Sequence, residues 1–167
     1  MATRTFDYTG TPVTGTGGLT SLATSSTHLA GYEWYVIDNT TDKAPYRIQT
    51  GKITVGTTPT ASTEIRIYLI PSYDGSTWPD VFDGTPSAET VTSEGVRDGF
   101  AVLAKRISVD ATTSNREYPF FFEVSSVLNG PIPKKCGVFV AHNTGVNLNG
   151  TASNHAYQDT PIWDDVS

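Results

Sequence analysis

Apolar residues along this chain alternate more often than they recur at helical spacing, and the alternation marks where strands are expected. Residues 64–70 are the cleanest case. Ile65, Ile67 and Leu69 point to one side, and Glu64, Arg66, Tyr68 and Ile70 to the other. Residues 31–39 (GYEWYVIDN) are apolar on both alternations, as expected of a strand covered on both faces, and run into the turn NTTDKAP. Residues 46–55 alternate at Tyr46, Ile48 and Thr50, pass Gly51, and resume on the opposite parity with Ile53 and Val55. Such a change of parity predicts a β-bulge at the glycine. Residues 100–109, 117–127 and 135–141 predict three more strands, with Cys136, Val138 and Val140 on one face of the last, and a short strand is expected around His155–Tyr157. Pro119 has no N–H for a ladder, so its strand should begin at an edge or a bulge.

Six to eight strands, separated by Gly, Pro, Asn and Asp turns and by no helix of three turns, predict an all-β fold. An antiparallel β-sandwich or barrel is expected, jelly-roll-like in its preferred form. The absence of an internal repeat argues against a propeller or a β-solenoid. The strands define a body over 31–142. Residues 1–30 show no period beyond one conceivable helical turn at Leu19–Ala23 and read as an extended N-terminal arm, disordered or anchored through Phe6, Tyr8, Leu19, Leu22 and Leu29. Residues 143–167 read as an irregular C-terminal tail. Within the body, residues 71–99 form a long loop carrying Tyr73, Trp78, Val81 and Phe82. A loop of that length is functional or disordered more often than not. Its aromatic residues either pack back onto the sandwich or reach a neighbour.

Composition supports the strands. Thr and Ser together number 40 of 167 residues, with 15 Gly, 10 Pro and 11% aromatics. A net charge of −6 without a basic cluster argues against nucleic acid as the main partner, because that binding rests on neutralised phosphates. A chain of 18.0 kDa should fold to a surface of roughly 8,000 Å². One cysteine excludes an internal disulfide. The opening residues lack an apolar signal core, and no stretch approaches the roughly 18 apolar residues of a span, so a cytosolic compartment and no membrane partner are expected.

The chemistry-bearing residues form no recognised constellation. His28, His142 and His155 sit in polar, loop-like contexts, His142 in a strand-end turn, and Cys136 lies on an apolar strand face. There is neither a G-x-S-x-G elbow nor a phosphate-binding loop. Carboxylates gather at Asp74, Asp80, Asp83, Glu89 and Glu94 and at Asp159, Asp164 and Asp165, without calcium-loop spacing. Two Asn-x-Thr sequons, at Asn39 and Asn149, read as turns. Trp34 belongs to the core, which leaves Trp78 and Trp163 as contact residues. The chain is expected to be no enzyme and to need no cofactor or metal.

Several segments in order resemble a family. They are residues 30–33 (AGYE), 38–41 (DNTT), 51–56 (GKITVG) with Pro59 and Thr60, 78–84 (WPDVFDG) and 138–145 (VFVAHNTG). Over residues 30–145 the chain resembles the head decoration, or cement, proteins of tailed bacteriophages. The resemblance implies a jelly-roll or related β-fold. It further implies a homo-oligomer, dimer or trimer, that coats the major capsid protein lattice on the virion surface after assembly in the host cytoplasm. Contact residues expected for that role are Phe6, Tyr8, Trp78, Phe82 and Trp163, with the two terminal segments as gripping arms. The alternative expectation is a carbohydrate- or receptor-binding module that stacks sugars on Trp78 and Tyr73 beside neighbouring Asp side chains.

Overall fold

The computed structural model describes residues 4–7 and 10–166. Its strands are β1 (Arg4–Asp7), β2 (Val13–Thr16), β3 (Ala30–Asp38), β4 (Tyr46–Thr54), β5 (Thr63–Ser72), β6 (Ser87–Thr90), β7 (Val102–Val109), β8 (Glu117–Glu123), β9 (Lys135–His142) and β10 (Ala156–Val166). Two short helices, α1 (Glu94–Phe100) and α2 (Val124–Leu128), complete the main elements. The strands form two antiparallel sheets. The first runs β1-β10-β4-β8, with β2 also on β10, and the second runs β6-β3-β9-β5-β7. The fold is an all-β sandwich.

Pairing along the chain is nested. β5 pairs with β7, β4 with β8, β3 with β9, and β2 with β10. Each pair encloses the one before it, and successive pairs fall in alternate sheets. β1 and β2 lie along the same edge of β10, as two pieces of one interrupted edge strand opposite β4.

The apolar alternation buries as expected in the second sheet. Ile65, Ile67 and Leu69 of β5 meet Cys136, Val138 and Val140 of β9 between the sheets. Tyr68, Ile70, Phe139 and Ala141 point to the other side, where Phe82 and Val91 cover them. Residues 73–86 and 91–101 therefore pack back over the outer face of the second sheet, and between them β6 joins the edge of that sheet beside β3. This excursion contains β6 and α1, and the α1 N-terminus is capped by Ser93, whose hydroxyl accepts from the Val96 N–H. The folded surface is 7979 Å².

Four sequence expectations change. First, β4 has no bulge at Gly51, and its ladders with β10 and β8 run through that residue in register. Its inward side carries Arg47, Gln49, Gly51, Ile53 and Val55 on one parity, so two of the inward residues are polar and the apolar pattern misleads. The register shifts fall instead at Glu33/Tyr35 and at Ile67/Tyr68. The first turns both Trp34 and Tyr35 into the core. Second, the strand beginning at Glu117 stops at Glu123, whose carboxylate accepts from the Ser125 and Ser126 N–H groups and starts α2. Pro119 does lie in an edge strand, since β8 ends its sheet.

Third, the tail ends in β10, the longest strand. Its inward residues Tyr157, Asp159, Pro161 and Trp163 mix aromatic, charged and imino side chains, which hides the period. Fourth, the N-terminal segment is fastened to the body. Leu19 is wholly buried in the main core, and the Gly17 carbonyl accepts from the Trp34 indole at 2.7 Å. One turn occurs there, closed by the Leu22 N–H on the Leu19 carbonyl. Replacing Leu19 by Ala leaves a cavity in a closed core and should cost about 2–5 kcal/mol of unfolding free energy by chemical denaturation. A change under about 0.5 kcal/mol would mean that the segment is not part of the folded unit.

Candidate functional site

Inside one end of the sandwich lies a polar network that apolar patterning does not reveal. Arg47 of β4 is 1% exposed, and its Nε and Nη2 donate to the two carboxylate oxygens of Asp159 on β10, at 3.1 and 2.7 Å. Nη1 donates to the Asp38 carbonyl and to the Asn39 and Asp42 side chains. The Gln49 amide also donates to Asp159, and the Tyr35 hydroxyl donates to the Gln49 side-chain oxygen at 2.9 Å. Burial first, then the Asp159 charge, pushes the Tyr35 phenol well above its ordinary range. Arg47, Gln49, Tyr35 and Asp159 are bonded to one another or to the turn after β3. A buried bidentate pair of this kind sets register and is costly to break from one side. It offers no free group to a ligand, and Asn39, nearly buried and bonded to Ala44 in both directions, presents no glycan acceptor.

The three histidines are internal rather than loop-like. His28, His142 and His155 are 3%, 0% and 0% exposed. His142 Nε2 donates to the Leu22 carbonyl at 3.0 Å, and its own carbonyl accepts from the Ser25 N–H, so it ties the N-terminal segment to β9. His155 Nε2 donates to the Asn149 carbonyl at 2.9 Å. His142 Nδ1 faces the Thr144 hydroxyl at 3.0 Å, but Thr144 is buried as completely, so no substrate reaches the pair. The Cys136 thiol is likewise sealed, and burial raises it far out of the thiolate range.

The carboxylates of the long excursion serve their own turns. Asp74 accepts from the Thr77 hydroxyl and from the Ser76 and Thr77 N–H groups, which hold it well below the usual carboxylate range. Asp80 accepts from the Thr92 hydroxyl and N–H, closing the base of the excursion. Among the described residues no three His, Cys, Asp or Glu side chains converge to hold a metal ion, and no helix is long and apolar enough to cross a membrane.

Two outward-facing surfaces among the described residues carry exposed aromatic side chains beside a groove. The larger is the outer face of the first sheet. A shallow groove of about 740 Å³ crosses it over Thr14, Thr16, Thr50, Lys52, Pro119 and Gln158. Phe121, at the Thr50 level on β8, is 56% exposed, and Lys52 pairs with Glu117 at 2.9 Å. On the same sheet Phe6 is 51% exposed and meets Tyr46 edge to face, above a smaller groove with Ile48, Glu123 and Ile162. The second surface is a groove of about 420 Å³ on the excursion, where Tyr73, Asp74, Trp78 and Phe100 come together.

The expected contact residues divide accordingly. Phe6 is outward. Trp78 is half-buried with one side on its groove, and its ring lies across Gly84, which has a positive φ of 80° and where a Cβ would stand 2.7 Å from the indole. Trp163 is half-buried, and its indole donates to the Asp42 carbonyl at 3.1 Å, so it holds the edge of the fold together. Phe82 is not a contact residue. It is 4% exposed and packs edge-on against Phe139 and Phe100, because the loop it belongs to turns inward. Tyr8 lies outside the described residues. Phe121 was not singled out by the sequence, although its outward parity beside Phe120 and Phe122 was the available signal. Compared with known proteins, the chain matches no family model and no curated protein.

The buried histidines give the fold an acid limit. Burial holds His142 down at about 4, against 6.5 when unfolded, and depresses His28 and His155 in the same direction. The folded state therefore binds fewer protons, and its stability is complete above pH 6.5 and falls as pH drops toward 4. His142 alone accounts for a loss of about 3 kcal/mol over that window. Denaturation curves should show the slope, and His142→Gln should flatten it. A slope unchanged in that variant would remove His142 as its source.

Proposed function

We propose that this chain is a head decoration protein of a tailed bacteriophage, a non-enzymatic module that seats on the outer surface of the major capsid protein lattice. The observation that carries the reading is an asymmetry between the two sheets. The outer face of the second sheet is roofed by the excursion, whereas among the described residues that of the first sheet has no such roof and bears exposed Phe6 and Phe121, with a shallow groove over Thr14, Thr16, Thr50, Lys52, Pro119 and Gln158 on the same face. Aromatic anchors surrounded by Thr, Gln and Lys suit a protein–protein interface, whose binding energy concentrates in a few desolvated rings. Nested pairing with alternation between sheets supports a jelly-roll assignment, which is the fold the resemblance implies.

In this reading the terminal segments do not reach out as free arms. β1, β2 and β10 build the contacting sheet, and a second copy of the chain packs beside the first on the shell. The virion surface is then the site of action, with assembly in the host cytoplasm. The second reading, a carbohydrate- or receptor-binding module, is favoured by one feature, the meeting of 65%-exposed Tyr73 with Trp78 and Asp74 in the excursion groove.

Purified undecorated heads separate the two. Phe121→Asp should lower occupancy on heads at least thirtyfold, equivalent to about 2 kcal/mol for a central aromatic anchor, while leaving the melting temperature within about 2 °C. Undiminished occupancy would reject the sheet face as the docking surface, and no binding of the unaltered protein to heads would reject the decoration role itself. A reproducible hit on a glycan array, abolished by Tyr73→Ala, would establish the second reading in its place.

A further inference from the structure

Glu33 is the one carboxyl group in the described residues that is wholly buried with both oxygens lacking a hydrogen-bond partner. It sits on β3, on the outward side of the second sheet, opposite Phe139 of β9 and Ser87 of β6. The excursion closes over it. A Cβ built at Gly137 would stand 2.9 Å from its Oε1 and 3.4 Å from the Trp78 ring, so carboxyl and indole share the small space above that glycine. An orphaned buried carboxylate is costly, and the group avoids the cost by keeping its proton.

We propose that Glu33 is a proton-dependent latch: the cover formed by residues 73–86 stays closed on the second sheet while Glu33 is protonated and loosens when it ionises. The charged groups that act on it come from the cover and from the strand beside it. Asp83, on the cover, and Glu89, on β6, are like-charged with an ionised Glu33, while β9 presents Gly137 and the apolar Phe139 toward it. The backbone N–H groups of Asp83 and Gly84 are oriented to favour the anion, but neither closes a hydrogen bond with it. Burial, followed by Asp83, pushes the carboxyl up to about 7. Ionisation therefore sets a desolvated charge against the Asp83 carboxylate of the segment that covers it, with Glu89 of β6 adding to the repulsion.

The turning points are in place for such a movement. Gly75, Asp80 and Gly84 all hold positive φ along the excursion, and the tie between Asp80 and Thr92 closes its base. Lifting the cover would bare Tyr68, Ile70, Phe139 and Ala141, an apolar floor that Phe82 now seals. Loosening would also dismantle the Tyr73–Trp78 groove. The latch is a property of the isolated chain and does not depend on the decoration role.

The sign is fixed. A carboxyl that titrates near 7 in the closed form and in the usual range near 4.5 when released favours closure in acid, and closure weakens as pH rises between the two values. Above that window the opening equilibrium should be roughly a hundredfold or more larger than in acid. Amide hydrogen exchange of residues 78–85, corrected for intrinsic rates and followed from pH 5 to 8.5, reads it directly. The unaltered protein should lose protection through about pH 7, and Glu33→Gln should stay protected throughout. Asp83→Asn, which keeps the latch and removes one facing charge, should lower the closed-form titration of Glu33, so that the loss of protection ends at lower pH and is smaller. Protection independent of pH in the unaltered protein, or the same transition in Glu33→Gln, would overturn the proposal. If Glu33→Gln does not fold, an unshifted transition in Asp83→Asn overturns it equally.

Discussion

The sandwich depends on one buried ion pair, Arg47 with Asp159, which fastens the last strand of the chain to the centre of its first sheet. The guanidinium is 1% exposed and bonded on both forks, and its remaining donors reach the turn that follows β3. Two charges removed from water are not in themselves a source of stability, since their desolvation offsets much of their attraction. What they supply is register. Shifting β10 by one residue would turn Asp159 to solvent and leave Arg47 alone in an apolar interior. With β10 fixed, its other edge receives β2 and then β1, and the long-range pairs of the nested roll close around it.

That constraint links the fold to its surface. β1, β2 and β10 all lie in the first sheet, and among the described residues no third layer covers its outer face, while the second sheet carries a roof of its own. The two faces differ in kind. One offers aromatic rings and a shallow groove to whatever docks there, and the other is an internal interface with a titratable group trapped in it. The opposite pH signs of the buried histidines and of Glu33 mean that the body resists alkali while the roof does not.

Legibility in the sequence followed the apolar pattern and failed where inward positions are polar. β3, β5 and β9 could be read because their inner faces are aliphatic or aromatic throughout. β4 is legible as a strand but with a false bulge, since buried Arg47 and Gln49 occupy the parity of Ile53 and Val55 while the apolar alternation starts on Tyr46 and Ile48. β10 was almost invisible, because Asp159 and Pro161 alternate with Tyr157 and Trp163 on its inner side. The excursion showed its aromatic residues but not their direction, so Phe82 looked like a contact residue when it is a core one. The outward Phe121 and the inward Glu33 each break the local polarity rule for their face. A rule violated at a well-packed position is where function or stored strain is most worth seeking.

The central claim is that the terminal strands belong to the folded body before any partner is met. Native-state hydrogen exchange on the free protein tests it most directly at residues 156–162 of β10. Amides there should exchange as slowly as those of β9, through global unfolding. Exchange in that stretch at the rate of exposed loops, with β9 still protected, would contradict the account.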